Sequence, residues 1–117
     1  MNIRLSLLFL FADVSCRPDF TVLVYPAYLT EGDGLAPEIR VTADSPPTFF
    51  AHASDDRISS ENSIAMYLAL KKAKVPAELH IYATGGHGFG LRLSEHPAST
   101  WPQRCEEWMR SRGLLKR

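Results

Sequence analysis

Thr48-Phe-Phe-Ala-His52-Ala-Ser-Asp-Asp56 is a short apolar run that ends on two acidic residues. Its first five residues have strand length and no alternation, as in a strand buried on both faces. Ala77-Glu-Leu-His-Ile-Tyr82 follows later in the chain and alternates, with Leu79 and Ile81 on one side and Glu78, His80 and Tyr82 on the other. The spacing between them predicts a helix. Ser59 or Ser60 can cap it by accepting from a backbone N–H one turn on. Ile64, Tyr67 and Leu68, with Ala65 and Ala69 beside them, form its apolar face. Lys71, Lys72 and Lys74 suit the negative end of its dipole, and Pro76 stops it. A strand, a helix and a strand in that order imply parallel pairing, because the crossover returns the chain to the same end of the sheet.

Upstream, Phe20-Thr-Val-Leu-Val-Tyr25 is a third apolar run, halted by Pro26. Residues 26–47 are rich in Pro and Gly and read as a long irregular connection. Downstream, residues 83–98 form a Gly-rich loop. Thr100 then opens a last helix, with Pro102 in its first turn and Gln103 at capping-box spacing. Trp101, Cys105, Trp108 and Met109 make one apolar stripe along it, and Gly113 is a natural C-terminal cap. The expected fold class is α/β, with three parallel strands and flanking helices.

A length of 117 residues allows one domain. Thirteen basic residues balance thirteen acidic ones, which gives no electrostatic footprint for nucleic acid. No apolar run approaches the roughly 18 residues of a membrane span. Residues 1–12 stand apart: Leu5-Ser-Leu-Leu-Phe-Leu-Phe-Ala12 faintly resembles an export signal. One positive charge precedes it, however, and Asp13 follows where a small-residue cleavage site belongs. A cytoplasmic location is the expectation, with export as the alternative. Cys16 and Cys105 are too few for a disulfide framework and too far apart for a metal knuckle.

In parallel sheets the chemistry gathers where strands end at their carboxyl side. Two loops leave such ends here, one carrying Asp55 and Asp56, the other Thr84-Gly-Gly-His87-Gly-Phe-Gly90. Neighbouring strands would bring a carboxylate beside an imidazole, as an acid–base pair requires. Each residue also has a plainer reading. Acidic residues before a helix favour its dipole, and a histidine among glycines can be a solvated turn residue. His52 reads as a hydrogen-bonded structural residue. The glycines are misspaced for a dinucleotide fingerprint, and His80, His87 and His96 lack metal-ligand spacing. No cofactor and no metal is expected.

Three segments carry a family resemblance: Ser15-Cys-Arg-Pro-Asp-Phe-Thr-Val-Leu-Val-Tyr-Pro26, Ala51-His-Ala-Ser-Asp-Asp56 with Glu61-Asn-Ser63, and Tyr82-Ala-Thr-Gly-Gly-His-Gly-Phe-Gly90. Together they resemble the C-terminal part of α/β-hydrolase-fold esterases, in the acetyl-xylan-esterase-like and prolyl-oligopeptidase-like subgroup. The resemblance runs over about residues 13–115, so residues 13–117 are read as the C-terminal part of one such domain. It implies that Asp56, in a pattern where Ala53 replaces the usual Gly, is the triad acid, and that His87 is the triad base. It also implies a serine hydrolase of carboxylic esters, with a small-molecule or carbohydrate ester as substrate and acylated sugars or polysaccharides as candidates.

The chain departs from the family pattern in two ways. Lys74 stands where a helix-ending Gly is common, so it must accept a left-handed conformation or a different turn. More seriously, no serine or cysteine lies in a Gly-x-Ser-x-Gly or Gly-x-Cys-x-Gly setting. The expectation is a fragment with acid and base but no nucleophile, inactive alone, whose incomplete sheet self-associates. The alternative is a non-catalytic α/β interaction module.

Overall fold

The computed structural model describes residues 17–115. The N-terminal expectations for residues 1–12, and for Cys16, lie outside the described residues. A three-stranded parallel sheet organises the chain, in the order β1 (Thr21–Val24), β4 (Thr48–Ala53), β5 (Ala77–Tyr82). Every residue of the central strand β4 is buried. Its alternate side chains feed opposite layers. Phe49 and Ala51 pack with Cys105 and Trp108 of α2 (Trp101–Ser111), while Phe50 packs with Leu70 of α1 (Glu61–Lys72). One helix therefore covers each face, as parallel strands require. The α2 stripe is the one its spacing predicts, with Cys105 and Trp108 buried and Trp101 and Met109 packed beside them.

The α1 face differs from the sequence reading. Leu68 is exposed, while Ser63, Met66, Tyr67 and Leu70 turn toward the sheet. The helix is apolar over much of its circumference, so periodicity alone does not choose its buried side. Ser63 does choose it, because its hydroxyl pairs with His52 on β4. At the helix start Ser60 takes the N-cap position without a side-chain bond, and it is the Oγ of Ser59 that accepts from the Glu61 N–H at 3.1 Å. At the other end Lys74 takes the left-handed conformation, with φ of 64°. The Lys74 N–H donates to the Lys71 carbonyl and the Val75 N–H to the Leu70 carbonyl, the paired bonds of a Schellman ending.

Two further expectations are corrected. Residues 26–47 are not wholly irregular: β2 (Thr30–Glu31) and β3 (Gly34–Leu35) form a small antiparallel hairpin. Its two-residue Gly32-Asp33 turn is a hairpin signal, but the strands beside it are too short to show periodicity. Thr100 does not build a capping box. A 3₁₀ turn over Pro97–Thr100 leads into α2, and the Thr100 hydroxyl donates to the Pro97 carbonyl instead. No described helix is long and apolar enough to cross a membrane.

Candidate active site

Strands β4 and β5 are hydrogen-bonded neighbours in register, with Ala53 opposite Tyr82. The loops that leave their carboxyl ends must therefore meet. After β4 the chain turns at once, the Asp56 N–H donating to the Ala53 carbonyl at 3.2 Å. This turn aims the Asp56 carboxylate inward, and its side chain is fully buried. Oδ1 accepts from the Ile58 N–H at 2.7 Å. Oδ2 lies 2.8 Å from Nδ1 of His87, which comes from the loop after β5. Since a carboxylate only accepts, Nδ1 carries the proton of that bond, and the lone pair of the neutral ring sits on Nε2. His87 is 29% exposed at its side chain, so the ring is reachable from outside while its carboxylate partner is not.

The His87 loop is fixed at several points. The Gly86 N–H donates to Asp55 Oδ1 at 2.8 Å, so the other acidic residue of the pair holds the loop and not the ring. Phe89 is buried against Ala53 and Ala98, and the Trp101 indole N–H donates to the Gly90 carbonyl at 2.7 Å. Gly85 has φ of 141°, and a Cβ there would fall 2.9 Å from the Ala98 Cβ. Only glycine lets the loop lie this close to the body of the domain.

Sequence reasoning missed Tyr25. This residue follows β1 with φ of 41°, and its ring centroid lies 4.5 Å from that of His87 and 5.0 Å from that of Phe89. Its one signal was the Tyr-Pro step, which disfavours the right-handed helical region at Tyr25. His52 is also closer to the site than its structural reading implied: Nε2 lies 3.3 Å from Asp56 Oδ2. The remaining histidines sit elsewhere. His80 pairs with Glu78 at 2.8 Å and packs on Phe49, and His96 accepts from or donates to Thr84. Cys105 is buried in the α2 layer, where loss of solvation first, and the Glu78 charge second, push its thiol up to about 11. Such a thiol is a poor nucleophile. Among the described residues no group of three or more His, Cys, Asp or Glu side chains could hold a metal ion.

Several solved structures share this arrangement of strands, helices and loops. An acetyl ester-xyloside bifunctional hydrolase from Caldicellulosiruptor lactoaceticus superposes with a TM-score of 0.77 and 36% identity, over 88% of this chain and 46% of that one. An α/β hydrolase enzyme from a Medee basin deep-sea metagenome library superposes with a TM-score of 0.71 and 24% identity, over 81% and 44%. The fold is part of an α/β hydrolase. A sugar hydrolase from Lactococcus lactis is similar as well, with a TM-score of 0.66 and 26% identity over 86% of this chain and 51% of its own. The chain thus spans about half the length of the α/β hydrolases it matches. No family model matches the chain. No curated protein matches it either.

Proposed function

We propose that the chain supplies the acid and base of a carboxylic ester hydrolase, with Asp56 orienting His87. The observation that carries this reading is the 2.8 Å bond between His87 Nδ1 and a fully buried Asp56 carboxylate at the carboxyl ends of adjacent parallel strands. In a triad of this type the acid fixes the imidazole tautomer and stabilises the imidazolium that forms. Nε2 of His87 takes the proton of a serine hydroxyl as that oxygen attacks the ester carbonyl, then returns it to the departing alkoxide. The serine and the donors that stabilise the tetrahedral oxyanion belong, on this reading, to the other half of the fold. Acylated sugars are the favoured substrate class, because two of the similar structures carry hydrolases described as acting on xylosides and sugars.

The test begins with the isolated chain and p-nitrophenyl acetate. Turnover equal to that of a His87→Ala variant is expected, since an imidazole without nucleophile or oxyanion donors gives little acceleration. Saturable hydrolysis well above that variant would contradict the division of labour proposed here. Reading the DNA upstream of codon 1 for an in-frame Gly-x-Ser-x-Gly supplies an independent check.

A further inference from the structure

We propose that His52, held by Ser63, is a positioning residue for the Asp56 carboxylate and through it for the tautomer of His87. This inference rests on reading Asp56 and His87 as an acid–base pair. The His52 side chain is fully buried near the end of β4. Its Nε2 lies 2.9 Å from the Ile58 carbonyl oxygen and 3.3 Å from Asp56 Oδ2. Both are acceptors, so Nε2 must carry a proton. Nδ1 lies 2.8 Å from the Ser63 hydroxyl oxygen on α1. Ser63 is itself fully buried, and its hydroxyl donates to the Nδ1 lone pair.

The consequence for Asp56 is geometric. Its Oδ1 accepts from the Ile58 N–H and its Oδ2 from the His87 Nδ1–H, while His52 Nε2, whose proton goes to the Ile58 carbonyl, stands 3.3 Å from Oδ2. Rotation of the carboxylate would give up these contacts together. A carboxylate locked with Oδ2 toward the catalytic ring favours the Nδ1–H form of His87, which leaves Nε2 free to act. Were the hydroxyl of Ser63 removed, Nδ1 of His52 would lose its side-chain anchor on α1, and the ring would be free to turn and carry its Nε2–H away from Oδ2. Without the Nε2–H beside it, Oδ2 loses one of the two polar hydrogens that hold it toward His87, and the carboxylate turns more freely. Ser63, His52, Asp56 and His87 thus form one polar series from the first turn of α1 to the surface, hydrogen-bonded at its two ends and closed in the middle by the 3.3 Å contact of His52 with Asp56.

The test is ¹⁵N NMR of the histidine rings in the full chain, which reports the tautomer of each ring separately. In the unmutated chain His52 is expected to show a protonated Nε2 and a bare Nδ1, and His87 a downfield Nδ1–H. Ser63→Ala should cost His87 most of its Nδ1–H signal, and Ser63→Thr should restore it. His52→Phe is the second variant and should have the same effect by removing both ring contacts. A purely structural role would lower stability and leave the His87 tautomer alone. A chain carrying either variant with β4 amide shifts intact and the His87 tautomer unchanged would overturn the inference while leaving the acid–base pair standing. Absence of a His87 Nδ1–H bond in the unmutated chain would overturn both.

Discussion

At the scale of single residues, Asp55 and Asp56 show how adjacent identical side chains can divide two tasks. The Asp56 carboxylate is buried on the His87 ring, and Asp55 holds the backbone of the loop that carries it. The distinction has a measurable consequence in a hybrid in which this chain replaces the matching segment of the Caldicellulosiruptor hydrolase. Asp56→Asn presents an amide where a carboxylate must accept, favours the wrong imidazole tautomer, and is expected to lower kcat by about 10⁴-fold. Asp55→Asn keeps an oxygen able to accept from Gly86 and should lower kcat by about tenfold or less, a change worth roughly 1.4 kcal/mol. Steady-state kinetics of the two variants decides the matter. A larger loss from Asp55→Asn would mean that the acid is misassigned.

Among the elements, the ends of the helices are as informative as their faces. The ending of α1 repeats that of α2, where Gly113 takes φ of 72° and the Leu114 N–H reaches the Met109 carbonyl. Lys74 fills the equivalent position at α1 despite its Cβ, which costs about 1 kcal/mol in the left-handed region. Lys74→Gly should therefore raise the unfolding free energy by about 0.5–1 kcal/mol in urea titrations, part of the strain relief being offset by the greater freedom of glycine when unfolded. A destabilised variant would show that the Lys74 side chain makes a compensating contact. The strand positions and the α2 stripe were legible because each follows from local pattern, whereas at Lys74 the family resemblance left a left-handed conformation and a different turn both open. The buried side of α1 was not, since a polar pair between Ser63 and His52 outweighs an apolar face that is nearly continuous. The hairpin stayed hidden for a related reason. Asn62 on α1 accepts from the Leu29 N–H at 2.8 Å, so the hairpin is held by a contact 33 residues away in sequence. The pairing of Asp56 with His87 could be anticipated from strand adjacency, whereas Tyr25 and the approach of His52 depend on three-dimensional packing.

For the whole molecule, the described sheet places β4 at its centre and leaves β1 and β5 each with one unpaired side. Phe49 and Phe50 are fully covered. Val22 and Val24 of β1 are only half-buried. Beside them an apolar groove runs between Phe20, Val22, Trp101, Pro102, Cys105 and Met109. Unpaired strand edges beside apolar surface template association with another chain. Sedimentation of the isolated chain is accordingly expected to show mass rising with concentration, and a monomer throughout the series would argue for a self-sufficient small domain. The central claim, however, concerns chemistry. Its most direct test is ester hydrolysis by the Caldicellulosiruptor hybrid carrying residues 17–115 of this chain, with and without His87→Ala. Turnover that depends on His87 and falls by several orders of magnitude in the variant is the expected result, while a folded hybrid whose hydrolysis is unaffected by His87→Ala would contradict the assignment of this imidazole as the base.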